Sequence, residues 1–107
     1  MTTYPLEIIT PNGRILNAQV EALVAPGSEG GFGILANHAP FIASLKAGVL
    51  KVAQDNHEQF YALGSGILEV DSSGHVLILA DMAISALNRE DALGKLQPVT
   101  AAHPVAV

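Results

Sequence analysis

Ile67-Leu68-Glu69-Val70-Asp71-Ser72-Ser73-Gly74-His75-Val76-Leu77-Ile78-Leu79-Ala80 reads as a strand, a turn and a second strand. Leu68 and Val70 fall on one face of the first run and Glu69 and Asp71 on the other, the period of two that a half-wet strand requires. Ser72-Ser73-Gly74 carries the residue types that tolerate a tight turn. The second run is apolar at every position. It is therefore a strand buried on both faces, or one whose outer face meets another protein. It is too short to favour a helix.

The pattern repeats on either side. Further strands are predicted at residues 6–10, 14–17, 20–25, 32–35, 42–46, 48–53 and 59–63, beside those at 67–71 and 76–80. Their spacing of about eight to twelve residues is that of a sandwich or barrel. Pro11-Asn12-Gly13 and Asp55-Asn56 supply hairpin turn chemistry. After Asp81 the period changes: Leu87, Leu93 and Leu96, with Asn88 ahead of Arg89-Glu90-Asp91, predict a short helix capped by Asn88 and weakened by Gly94. Residues 97–107 hold Pro98 and Pro104 and no period, so a frayed tail is expected there. The fold class is all-β with a short helical C-terminus.

The 107 residues make one domain, half of them apolar and only 14% charged, a balance that excludes disorder. The net charge of −5 and the scattering of Arg14, Lys46, Lys51, Arg89 and Lys95 exclude a nucleic-acid stripe. The absence of cysteine removes disulfides and thiolate chemistry and fits a reducing compartment. Met1-Thr2-Thr3-Tyr4-Pro5 lacks the basic start and apolar run of a signal peptide. No apolar run approaches the ~20 residues of a membrane helix, so any membrane role is peripheral.

Gly27-Ser28-Glu29-Gly30-Gly31-Phe32-Gly33-Ile34-Leu35-Ala36-Asn37-His38-Ala39-Pro40 is a shaped loop rather than a linker, because Phe32, Ile34 and Leu35 anchor its glycines. A phosphate cradle would need a lysine, and its only charge is Glu29. A bulge or wide turn and a protein-docking loop stay open. His38, held between Asn37 and Ala39-Pro40, caps a turn or meets a partner. The four histidines, His38, His57, His75 and His103, never reach metal-ligand spacing, so no metal is expected. Glu7, Glu21, Glu58 and Glu69 sit at outward strand positions. No serine stands in a nucleophile elbow, and Gly64-Ser65-Gly66 reads as a bulge. No catalytic residue and no cofactor is identified.

The order of these segments carries more than any one of them. Thr10-Pro11-Asn12-Gly13, Val24-Ala25-Pro26-Gly27-Ser28-Glu29-Gly30, Phe32-Gly33-Ile34-Leu35 and His38-Ala39-Pro40 resemble the N-terminal domain of the epsilon subunit of F-type ATP synthase. Leu45-Lys46-Ala47-Gly48-Val49-Leu50 is similar to that family's Leu-Lys-Pro-Gly-Val turn. Gly64-Ser65-Gly66-Ile67-Leu68-Glu69-Val70 and Val76-Leu77-Ile78-Leu79-Ala80-Asp81 resemble its Gly-Gly-Phe-Leu-Glu-Val and Val-Thr-Val-Leu-Ala-Asp strands. The resemblance covers about residues 4 to 86.

It implies a flattened β-sandwich of two antiparallel sheets at residues 1–86, followed by a short helical remnant and flexible tail at 87–107. It also implies a non-catalytic part of the central rotor, peripheral on the cytoplasmic face of a bacterial inner membrane, with a plastid thylakoid as the second location. Such a subunit couples proton-driven c-ring rotation through gamma to the alpha/beta catalytic head. By position, Glu29, Gly30, Gly31 and Phe32 would face the c ring, and Thr10, His38 and Ala43 would lie against gamma. A stand-alone sandwich that binds another protein is the alternative.

Three departures from the family pattern matter. Gly31 stands where an acidic residue is common, and Ala36-Asn37 replaces Pro-Gly, which asparagine tolerates in a left-handed conformation. The family usually continues into a two-helix hairpin that can inhibit ATP hydrolysis and in some members binds ATP. The short C-terminus leads to the expectation that this chain couples rotation without inhibiting by helix extension.

Overall fold

The computed structural model describes residues 2–96; Met1 and residues 97–107, which include the tail expected to fray and His103, lie outside the described residues. The elements are β1 (Tyr4–Thr10), β2 (Gly13–Val20), β3 (Ala22–Gly27), β4 (Gly30–Leu35), β5 (Phe41–Leu45), β6 (Gly48–Gln54), β7 (His57–Leu63), β8 (Gly66–Val70), β9 (Val76–Ala80), β10 (Ala83–Ala86) and α1 (Arg89–Leu96). Strand order β2-β1-β9-β8-β5 forms one layer and β3-β6-β7-β10 the other, with β4 added beside β3. Strand β3 belongs to both: Ala22 to Val24 pair with β6, and Gly27 pairs with Leu45 of β5.

The predicted strands are recovered with three differences. The β1–β9 pair is parallel, Leu6 lying opposite Val76, so one layer is mixed rather than purely antiparallel. Parallel neighbours need a long crossover, which the whole of residues 11–75 supplies here. The break expected after Asn17 falls later, at Glu21: β2 stays paired with β1 as far as Val20, with a register shift between Ile8 and Ile9, and β3 starts at Ala22. Strand β10 has no alternation or turn signal to announce it; Ala83 to Ala86 extend because pairing with β7 satisfies their backbone groups.

Leu6, Ile8, Leu23, Ile34, Leu50, Leu63, Leu68 and Ile78 fill the space between the layers, each at most 2% exposed. A Leu or Ile so buried contributes roughly 1.5–3 kcal/mol. Tyr4 crosses this core and its hydroxyl donates to the Ile34 carbonyl at 2.7 Å, while burial raises its pKa well above the ordinary phenol range. A second, smaller cluster lies on the outer face of β6 and β7, where Ala92 of α1 meets Val49 and Ala62, with Phe60 and Leu96 packed around them.

Helix α1 begins as predicted. Asn88 Oδ1 accepts from the Asp91 N–H at 2.8 Å, Asp91 accepts from the Leu87 N–H at 2.9 Å, and Lys95 Nζ lies 3.0 Å from the same carboxylate. The β8–β9 turn uses another carboxylate: Asp71 Oδ1 accepts from the Ser73 and His75 N–H groups at 2.8 and 3.0 Å. Both acids are held below the usual carboxylate range, Asp71 chiefly by the His75 N–H and Asp91 chiefly by the Leu87 N–H, then by Lys95.

Gly64-Ser65 lies between two strands, as expected, but forms a corner between β7 and β8, and the register runs on from Gly66 with no bulge. A Cβ at Gly64 would run into the Asp81 carboxylate, and one at Gly66 into the Leu79 carbonyl oxygen. Gly66→Ala should therefore cost about 1–3 kcal/mol of unfolding free energy by urea titration, whereas Gly94→Ala, on open helix surface, should stabilise by about 0.5–1 kcal/mol. A depressed carboxylate pKa gives stability that is complete above the unfolded value near about 3.9 and is lost as pH falls through the lower folded value. The thermal midpoint, followed by circular dichroism, should thus drop on acidification below about pH 4, and Asp71→Ala with Asp91→Ala should flatten that drop.

Candidate docking surfaces

Strands β3 and β4 form a tight hairpin in which Gly27 and Gly30 are the last pair, leaving Ser28 and Glu29 as a two-residue turn. Gly30 takes φ of 131°, which a side chain rarely adopts, so the turn depends on that glycine. The segment that sequence left open between a wide turn and a docking loop is thus a projecting hairpin, with Glu29 at its apex. Gly30 and Gly31 are exposed and Phe32 half-buried on β4.

The tip is tied to β5. The Ser28 N–H donates to the Ser44 carbonyl at 3.0 Å and the Lys46 N–H to the Pro26 carbonyl at 2.9 Å. A cavity of about 380 Å³ lies between them, lined by residues 27–32 and by Phe41, Ile42, Ala43 and Ser44. At its mouth the rings of Phe32 and Phe41 meet edge to face at 5.5 Å and 77°. His38 stands 5.3 Å from Phe41, and its Nδ1 is 2.7 Å from the Ala39 carbonyl, as the donor. Asn37 has φ of 66°, the left-handed conformation that lets asparagine replace glycine before His38. All four tip candidates, His38 and Ala43 are thereby gathered around one aromatic contact.

Thr10 is placed elsewhere. It is 7% exposed, accepts from the Asn12 N–H at 3.1 Å and donates to the Gly13 carbonyl at 3.4 Å, so its hydroxyl shapes the β1–β2 turn. It lies on the same layer as Ala43 but three strand spacings away, roughly 14 Å. Register pairs Ala43 with Leu68 and Leu68 with Ile78, so Ala43 belongs to the row that faces the core.

The outward row was not singled out from sequence. Ser44 pairs with Ile67, Ile67 with Leu79, and Leu79 with Ile9. Ile67 and Leu79 are 49% and 44% exposed, and Ile42, two residues from Ser44 on the same strand face, is 69% exposed. An almost wholly apolar hollow of about 370 Å³ sits there, bordered by Ile9, Thr10, Ile67 and Leu79. The all-apolar run 76–80 was its sequence signal, since the inner face uses Val76, Ile78 and Ala80 and leaves Leu79 outside. Among the described residues no three His, Asp or Glu side chains converge as a metal site.

Residues 3–86 match the family model for the ATP synthase, Delta/Epsilon chain, beta-sandwich domain. The chain is 43% identical over 81 residues to the ATP synthase epsilon chain of Anaeromyxobacter sp. (strain K), covering 76% of this chain and 61% of that one. It is 47% identical over 86 residues to the ATP synthase epsilon chain of Campylobacter concisus, covering 78% and 65%. The chain thus spans about three fifths of the length of these curated relatives. In three dimensions it resembles a chain of the Euglena gracilis mitochondrial ATP synthase, in its OSCP/F1/c-ring structure. The TM-score is 0.77 at 23% identity, over 99% of this chain and 70% of that chain, a likeness of fold.

The aromatic contact makes the stiffness of the hairpin tip measurable. Phe41→Ala should lower global stability by about 0.5–1.5 kcal/mol beyond lost burial, and should speed hydrogen exchange at Ser28 and Phe32 more than at the Leu68 and Ile78 amides. Uniform acceleration across all four would show that Phe41 does not specifically hold the tip.

Proposed function

Because this chain belongs to the ATP synthase delta/epsilon chain β-sandwich family, we propose that it is the epsilon subunit of an F-type ATP synthase, a non-catalytic part of the central rotor. In this reading it couples ion-driven rotation of the c ring, through gamma, to the alpha/beta catalytic head. It sits peripherally at the cytoplasmic face of a bacterial membrane. Residues 1–86 are the docking unit and 87–107 an appendage to it.

One observation supports this reading: a single sandwich carries both a braced hairpin tip and an exposed apolar row, which meet at Ile42. The hairpin tip of Glu29, Gly30, Gly31 and Phe32 is small, exposed and braced by Phe41, which suits contact with short polar loops of a ring. With Gly31 in place of an acid, Glu29 is the tip's only charge. The apolar row of Ile42, Ile67 and Leu79, between the His38 turn and Thr10, suits a broad permanent interface with gamma. Obligate interfaces bury about 2,000 Å² or more in total and are enriched in apolar surface. Thr10, His38 and Ala43 would border this row or support it from behind, with Ile42, Ile67 and Leu79 making the contact.

Reconstitution separates the two surfaces. Ile67→Asp with Leu79→Asp should weaken binding to gamma at least tenfold, about 1.4 kcal/mol, in a titration with purified gamma, while the folded sandwich persists by circular dichroism. Glu29→Ala with Phe32→Ala should leave gamma binding intact and lower ATP synthesis severalfold in vesicles containing the complete enzyme. Unchanged synthesis would reject the ring contact, and unchanged gamma affinity would reject the apolar row.

A further inference from the structure

Three of the five basic residues in this acidic chain surround one groove, on the far side of the sandwich from the apolar row. Lys46 stands at the β5–β6 corner, Lys51 on β6 and Arg89 at the start of α1; between them lie Val24, Val49 and Leu93, and the groove encloses about 510 Å³. Lys51 has a carboxylate within reach, Glu58 at 3.4 Å. Lys46 and Arg89 have none within 4 Å among the described residues. Val24 and Leu93 are 43% and 47% exposed, so the floor as well as the rim is open.

We propose that this groove docks an acidic amphipathic protein segment, its apolar side chains on Val24 and Leu93 and its carboxylates toward Lys46, Lys51 and Arg89. The charge is complementary to such a segment in a chain whose net charge of −5 would otherwise repel it. The cations come from three separate elements around an apolar floor, whereas a lone phosphate wants donors converging on a point. Strand β3, which lines the groove, is paired with β4 along one edge and with β6 and β5 along the other, so its N–H groups are not gathered for an anion. A membrane surface would meet the rim of a concavity but leave its apolar floor uncovered. A segment that enters the groove covers both. The groove touches the hairpin tip at Gly31, but the three cations and the exposed apolar residues on which the inference rests belong to neither the ring nor the gamma surface.

The test selects a phage library of random dodecapeptides on the intact chain, with depletion on the Lys46→Glu, Arg89→Glu double variant. Recovered peptides should combine several carboxylates with apolar residues at i, i+4 spacing. A synthetic copy should bind at least tenfold more weakly to the double variant and more weakly to wild type as salt rises. The milder pair Lys46→Gln, Arg89→Gln should give the same direction if the charge reversals disturb folding. No enrichment, enrichment of neutral or basic peptides, or equal affinity for the variants would overturn the proposal. Saturable shifts of the Lys46, Lys51 and Arg89 amide resonances by inorganic phosphate, or wild-type binding to phosphatidylglycerol vesicles that the double variant loses, would assign the groove to a different occupant and overturn it equally.

Discussion

The double pairing of β3 is the constraint on which the rest of the structure depends. Its first residues hydrogen-bond to β6 and its last, Gly27, to β5, so one short strand passes from layer to layer and sets the spacing of the sandwich. Leu23 and Ala25 then point into the core while Val24 points out. The hairpin that continues from β3 inherits its direction from both layers at once. Two backbone hydrogen bonds, from Ser28 and from Lys46, fix the tip against β5 with no long side chain involved. A surface held by ladder geometry loses little entropy when it meets a partner, because little freedom was left to it.

The same constraint divides the outer surface. Strand β3 leaves the outer face of β6 and β7 to be covered only in part by α1, whose buried contribution is the small side chain of Ala92. The uncovered remainder is the basic groove. On the opposite layer no helix is present among the described residues, and the outward row of β5, β8 and β9 keeps its apolar side chains in the open. Large aliphatic groups aligned on adjacent strands reinforce one another as a contact surface, because covering one removes water from the next.

How much of this was legible in the sequence follows from the period of each segment. Leu68-Glu69-Val70-Asp71 alternates and its faces could be assigned outright. The run 76–80 does not alternate, and only register with Ile67 and Ile9 shows which of its residues is left outside. Asn88 announced its helix because capping is local chemistry, complete within four residues. Strand β10 and the parallel β1–β9 pair are decided by partners many residues away, and no local pattern encodes them. The tip candidates Glu29 to Phe32 were legible as a unit. Their brace, Phe41, was not, since it lies beyond a turn whose direction depends on the left-handed Asn37.

The two surfaces of the proposed rotor role also make different physical demands. A permanent contact gains from area and apolarity, and the row of Ile42, Ile67 and Leu79 offers both at the expense of solubility when unpartnered. A contact with the repeated loops of a ring gains from stiffness, since a compliant tip would bend under torque before moving its partner. A two-residue turn, a ladder paired along all of β3 and an edge-to-face ring contact at the base limit such bending. Position matters as much as composition: the glycines that allow the tight turn would make a pliable element anywhere else, and here the pairing of β3 on both edges removes that pliability. The sandwich thus turns a glycine-rich, weakly charged sequence into a projection that can bear load.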